Sequence, residues 1–91
     1  MLKLLRDTIL ADSISKDRCF ENTYCFRREF FYRKGIDARD FACSIVHQLK
    51  SKLGYEGEIL DYSETNKPFR GGASVKNSSH WTAIIKIKGE K

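Results

Sequence analysis

The fold is decided by the stretch DARDFACSIVHQLKSKL, which occupies residues 37–53. Its apolar residues recur at helical spacing and form a single stripe: Phe41, Ala42, Ile45, Val46, Leu49 and Leu53. Asp37 is a typical N-cap residue, and Gly54 stands where a left-handed residue commonly ends a helix. The stretch therefore predicts an amphipathic helix that needs an apolar surface to cover.

That surface is predicted by the stretch HWTAIIKIK, residues 80–88. Four apolar residues alternate with the others, namely Trp81, Ala83, Ile85 and Ile87. A period of two is typical of a strand with one buried face, and the second face carries His80, Thr82, Lys86 and Lys88 together with Ile84. A further short strand is predicted over residues 57–63, and residues 64–79 read as a long polar loop.

The first third of the chain is less regular. Residues 2–11 predict a short helix, because Leu2, Leu5 and Ile9 share one face, and residues 12–17 predict a loop rich in turn formers. Residues 18–34 favour two strands, since their aromatic residues fall on even positions: Phe20, Tyr24, Phe26, Phe30 and Tyr32. A helix over 18–34 is the alternative, because it also brings Phe20, Tyr24 and Phe31 to one side.

The expected architecture is α+β, in the approximate order α-β-β-α-β-β, with two helices packed on one face of a mainly antiparallel sheet. A length of 91 residues predicts a single domain over residues 1–91, and 41% apolar residues suffice for a compact core. No apolar run approaches about 20 residues, so we expect no membrane partner. Three cysteines make an odd set, and the start lacks a signal-peptide pattern, which together favour a reducing, cytoplasmic setting.

Charge is distributed unevenly along the chain. Residues 1–64 contain eleven cationic and eleven anionic side chains, whereas residues 65–91 contain six cations against Glu90 alone. The whole formal net charge of +5 therefore belongs to the last 27 residues. Cations confined to one segment create a one-sided field that attracts polyanions.

This asymmetry predicts a small, basic, non-enzymatic binding protein that contacts nucleic-acid phosphates through its C-terminal strand and the preceding loop. Arg70 is followed by two glycines, which lets the backbone approach a phosphate closely. Phe69 is a candidate for stacking on a base. The predicted nucleic-acid-binding residues are Lys67, Phe69, Arg70, Lys76, Lys86 and Lys88. We expect these residues to lie together on one accessible side of the molecule. The alternative explanation is a solvated strand face, on which lysines protect a sheet edge against aggregation.

A protein-binding inhibitor or adaptor, of the kind that phages and mobile elements direct at host proteins, is the alternative. It would present the same cations to an acidic partner, or the aromatic segment 20–32 to an apolar one. Homodimerisation is a further expectation, since small cores gain stability by association.

The sequence favours neither of two chemical sites. Cys43 and His47 stand four residues apart on the predicted helix, a two-ligand zinc geometry that Cys19, Cys25 or His80 would have to complete. A cysteine near the start and His80-Trp81 opening a late strand resemble papain-like peptidases, in which an imidazole activates a thiol. That resemblance covers two residues and one strand pattern and lacks an oxyanion glutamine. We therefore expect no catalytic residues, no metal and no cofactor.

Overall fold

The structure is a computed structural model that describes residues 1–31, 37–71 and 74–88; for residues 30–31, 66–71 and 74–78 it describes the backbone. Helix α1 spans Leu2–Thr8 and helix α2 spans Ala38–Gln48, followed by a π-helical turn over Leu49–Leu53. Four strands complete this part of the chain: β1 (Ser13–Lys16), β2 (Thr23–Phe31), β3 (Glu56–Gly71) and β4 (Ser74–Lys88). The α+β class and the order α-β-β-α-β-β are thereby confirmed.

The strands form one antiparallel sheet in the order β1-β2-β4-β3. Strand β4 lies at its centre, with β2 on one side and β3 on the other, so β1 and β3 are the two edges. A β-bulge interrupts the pairing of β3 with β4 between Ile59 and Asp61. The final hairpin therefore joins an inner strand to an edge strand.

The predicted stripe and the predicted strand face meet in the core. Trp81, Ala83, Ile85 and Ile87 are all buried, and the Phe41 ring packs against Trp81 with its centroid 6.1 Å away at an interplanar angle of 38°. The remaining buried apolar side chains come from α1, β1, β2 and α2: Leu5, Ile9, Ile14, Tyr24, Phe26, Ala38, Phe41, Ala42, Ile45 and Leu49. Both helices thus cover the same face of the sheet, as the periodicity predicts.

Local chemistry explains where α2 begins and where its π-helical extension ends. The Asp37 carboxylate accepts a hydrogen bond from the Asp40 backbone N–H at 3.0 Å, and the Asp40 carboxylate accepts one from the Asp37 N–H at 3.2 Å. This reciprocal pair is a capping box, which satisfies two backbone donors at the helix start. Gly54 ends the π-helical turn at a φ of 72°, a conformation that costs glycine little.

Three sequence-based assignments were wrong in their extent. The predicted loop at residues 12–17 contains strand β1, because Ile14 is buried opposite Phe26 and pairing outweighs the turn-forming composition around it. The predicted strand pair over 18–34 is one described strand, β2, preceded by a turn in which Asp17 accepts from the N–H groups of Cys19 and Phe20. Residues 32–34 lie outside the described part.

The third correction concerns the predicted loop at residues 64–79. Strand β3 runs on to Gly71 and β4 starts at Ser74, so 64–71 and 74–79 are paired strands. Their polar composition is typical of a loop. The backbones of the two segments nevertheless satisfy each other's hydrogen-bonding groups, and side-chain propensity carries no information about this pairing. Residues 72–73 lie outside the described part.

Candidate nucleic-acid interface

The β3–β4 hairpin carries the predicted site, and it divides into two parts of different construction. We call residues 56–64 and 80–88 the hairpin base, and residues 65–79 the hairpin tip. The base contains the buried residues Trp81, Ala83, Ile85 and Ile87 and packs against helix α2. The tip continues the same two strands away from that core.

The tip ends as a two-stranded ribbon. The last pair between β2 and β4 joins Phe31 to Ser78. Beyond it, β3 and β4 pair with each other, from Pro68 opposite Asn77 to Gly71 opposite Ser74, and no other described strand pairs with them there. Strands of 16 and 15 residues span about 50 Å at about 3.3 Å per residue, and the longest dimension of the molecule is 52 Å. The hairpin therefore sets the length of the protein.

The two lysines of the base stand beside a larger number of carboxylates. Lys88 Nζ lies 3.3 Å from Glu58 Oε2, and the register places Lys88 opposite Glu56 and Lys86 opposite Glu58. The base holds four carboxylates in β3, namely Glu56, Glu58, Asp61 and Glu64, against those two lysines. Lys86 and Lys88 are exposed, as predicted, but they stand beside carboxylates from an earlier part of the chain.

The tip has the opposite composition. Residues 65–79 contain three cations, Lys67, Arg70 and Lys76, and no Asp or Glu. The backbone register places Lys67 opposite Ser78, Phe69 opposite Lys76 and Arg70 opposite Val75. The side chains of the four predicted residues in the tip, Lys67, Phe69, Arg70 and Lys76, lie outside the described part of the structure. Their backbone positions place Arg70 and Lys76 within the two-stranded ribbon and Lys67 directly before it, opposite Ser78.

The hairpin base also contains a partly buried polar contact that sequence reasoning missed. Trp81 Nε1 donates a hydrogen bond to Glu64 Oε1 at 2.9 Å. The two residues are directly opposite each other in the ladder, so the indole is satisfied by the edge strand. Glu64 thus serves the packing of the base, and it marks the last carboxylate before the tip.

The sheet face turned away from the helices is mixed in charge. His80 Nε2 lies 3.7 Å from Glu29 Oε1, and the neighbouring Arg27 is exposed. The Glu29 backbone N–H donates a hydrogen bond to Asp12 Oδ2 at 2.7 Å, so a second carboxylate lies close to Glu29. This face therefore offers a polyanion no uniform positive surface, in contrast to the tip.

The aromatic segment is largely a core element. Tyr24 and Phe26 are buried at 3% and 0% exposure, whereas Phe20 is 62% exposed in the turn before β2. The Phe30 side chain and Tyr32 lie outside the described part. Tyr24 and Phe26 are buried in the core, so they cannot form an apolar docking surface for a partner.

The cysteines and histidines show no assembled centre in the described residues. Cys19 and Cys43 are exposed, Cys25 is half-buried, and all three are free thiols. His47 is exposed on α2, one turn from Cys43. No group of three or more His, Cys, Asp and Glu side chains within residues 1–29, 37–65 and 79–88 could hold a metal ion.

Comparisons with known proteins return no relative. No family model matches the sequence, and neither the curated proteins nor the solved structures contain a match. Among the described helices, none is long and apolar enough to cross a membrane. Function must therefore be argued from the hairpin itself.

Proposed function

We propose that this protein is a nucleic-acid-binding module that contacts phosphates through the hairpin tip. One observation carries the proposal: the tip contains three cations and no carboxylate, ends as a ribbon of two paired strands, and lies beyond a base whose lysines face glutamates. The proposed interface is therefore smaller than the one predicted from the sequence. Lys67, Arg70 and Lys76 supply its charge, and Phe69 supplies a stacking surface.

A ribbon of this kind matches the dimensions of nucleic acid. The major groove of B-DNA is about 12 Å wide and admits a two-stranded β-ribbon. The paired strands of the tip satisfy each other's backbone hydrogen-bonding groups and continue directly from the packed base, so the tip cations belong to an extended ribbon and not to an irregular loop. The absence of acidic residues between Thr65 and Ser79 means that no phosphate would approach a like charge along the ribbon.

Lys86 and Lys88 have a secondary part in this proposal. Each stands opposite a glutamate in β3, and Lys88 forms an ion pair with Glu58. A phosphate that approached Lys88 would have to displace that carboxylate, which offsets most of the gain. Their effect on affinity is therefore expected to be smaller than that of the tip cations.

The test is a titration of labelled duplex DNA and labelled single-stranded RNA by fluorescence anisotropy at several salt concentrations. The variant K67Q/R70Q/K76Q removes the tip charge. For duplex DNA, the slope of log K against log salt should become less steep by about 0.9 for each phosphate contact that is lost. The matched control K3Q/R18Q/R39Q removes three exposed cations from other parts of the molecule, and it should retain most of the slope.

Two outcomes would overturn the proposal. One is the absence of salt-dependent binding by the unmodified protein, and the other is an equal loss in the tip variant and the control, which would indicate a general charge effect. Poly-glutamate serves as a probe for an acidic protein partner. If it competes with nucleic acid at equal charge concentration, the tip recognises acidic protein surfaces and the nucleic-acid assignment is wrong.

A further inference from the structure

The two edges of the sheet are protected to different degrees. Strand β1 has four residues, and the Arg6 guanidinium donates to the Ile14 carbonyl oxygen from Nε at 3.3 Å and Nη2 at 3.2 Å. Strand β3 has 16 residues and pairs on one side with β4, while no described strand lies on its other side. A long edge with unpaired backbone groups is a template for another strand.

The middle of β3 is exposed on both of its faces. Every residue from Leu60 to Thr65 is exposed, including two large side chains, Leu60 at 45% and Tyr62 at 46%. In β4, by contrast, Trp81 to Ile87 alternates between buried and partly or fully exposed side chains. The centre of β3 therefore combines an available backbone with apolar surface that the described chain leaves in contact with solvent.

The order of charges along β3 identifies the strand that fits this edge. Its first nine residues carry four carboxylates and no cation, and its last seven carry Lys67 and Arg70 and no carboxylate. A strand that runs antiparallel to β3 and is also acidic in its N-terminal half and basic in its C-terminal half would place opposite charges side by side. A second copy of β3, turned by a two-fold rotation, has that order.

We propose that β3 pairs antiparallel with β3 of a second copy of this chain, which joins the two four-stranded sheets into one continuous sheet. Pairing centred on Glu64 places Asp61 opposite Lys67 of the second copy, within the stretch between the bulge and Pro68. Such an interface is isologous, so each charge contact occurs twice.

Two features of β3 restrict the pairing to its middle. The bulge between Ile59 and Asp61 bends the strand, and the Asp61 carboxylate accepts from the Tyr62 backbone N–H at 2.8 Å. Pro68 lacks a backbone N–H and therefore removes one donor near the far end. Between Tyr62 and Pro68, residues 63–67 offer an edge without either interruption, and the two-fold axis would lie at Glu64.

The test is the oligomeric state of the full-length protein, freed of nucleic acid by nuclease and measured by sedimentation velocity over a range of concentrations. The unmodified protein should reach a dimer. The variant K67E/R70E leaves β3 with carboxylates alone, and E56K/D61K leaves it with four cations against Glu58 and Glu64. Each variant therefore places like charges at positions 61 and 67 and should dissociate at concentrations where the unmodified protein is dimeric. An equimolar mixture of the two variants should restore a dimer that contains one copy of each.

The control K3E/R39E reverses two exposed cations away from β3 and should dimerise normally. Circular dichroism establishes that every variant is folded. A monomer at all concentrations of the unmodified protein would overturn the proposal, as would dimerisation of each single variant as strong as that of their mixture. The measurement contains no nucleic acid, so its result is independent of the proposed phosphate binding.

Discussion

The base and the tip of the hairpin are built from the same two strands, yet they perform different tasks. The base buries Trp81, Ala83, Ile85 and Ile87 against helix α2, and its lysines stand beside glutamates. The tip pairs strand with strand beyond β2 and carries cations alone. The difference indicates that the free energy of folding comes from the base, while the charge available to a partner comes from the tip.

The separation follows from simple physical requirements. A packed core needs apolar side chains on alternate positions, and such positions are absent from most of residues 65–79. A polyanion-binding ribbon needs cations without competing carboxylates. Substitutions in the base should therefore change stability, and substitutions in the tip should change binding.

The largest effect is expected from Phe26→Ala. Phe26 is fully buried on β2, opposite Ala83 of the base. Loss of the ring should lower the free energy of unfolding by about 3–5 kcal/mol, a large part of the stability of a domain this small. Urea denaturation followed by circular dichroism measures it, and a loss below about 1 kcal/mol would show that the base is not the source of stability.

Gly57→Val should have the next largest effect. A Cβ at position 57 would lie 3.0 Å from Leu49 Cδ1 and 3.1 Å from Ile85 Cγ2, closer than van der Waals contact. Overpacking of this kind costs about 1–3 kcal/mol. The same denaturation experiment tests it, and a stabilised variant would mean that the contact between β3 and the π-helical turn is loosely packed.

Asp37→Ala should cost about 1 kcal/mol, because it removes the carboxylate that caps α2. The control Asp37→Asn keeps a side-chain acceptor and should be closer to the unmodified protein. Nucleic-acid affinity of the folded protein should stay unchanged in both variants. A change in affinity equal to that of K67Q/R70Q/K76Q would contradict the division between base and tip.

The smallest effect is expected from Glu58→Gln. Glu58 is exposed and pairs with Lys88, so its loss should change the free energy of unfolding by about 0.5 kcal/mol or less. Removal of the carboxylate also frees Lys88 for a phosphate, so affinity for nucleic acid should rise slightly at low salt. An unchanged affinity would show that the base takes no part in binding even when its charge is uncompensated.

Much of the fold was predictable from residues that repeat a simple pattern. The stripe from Phe41 to Leu53 predicted α2, and the alternation from Trp81 to Ile87 predicted the buried face of β4, because each period records which side meets the core. The extent of β3 and β4 was not predictable in this way. Residues 64–79 have a polar composition typical of loops, and only pairing with each other makes them strands.

By itself, the sequence determined the two helices, the buried face of the last strand and the concentration of cations after residue 64, since these are local properties of composition and spacing. Tertiary structure alone decided which charges meet. Glu56 and Glu58 lie about thirty residues before Lys88 in the chain, and the antiparallel register brings them beside Lys86 and Lys88. Strand register depends on contacts between distant segments, so no local pattern shows that the lysines of the base are compensated and those of the tip are not.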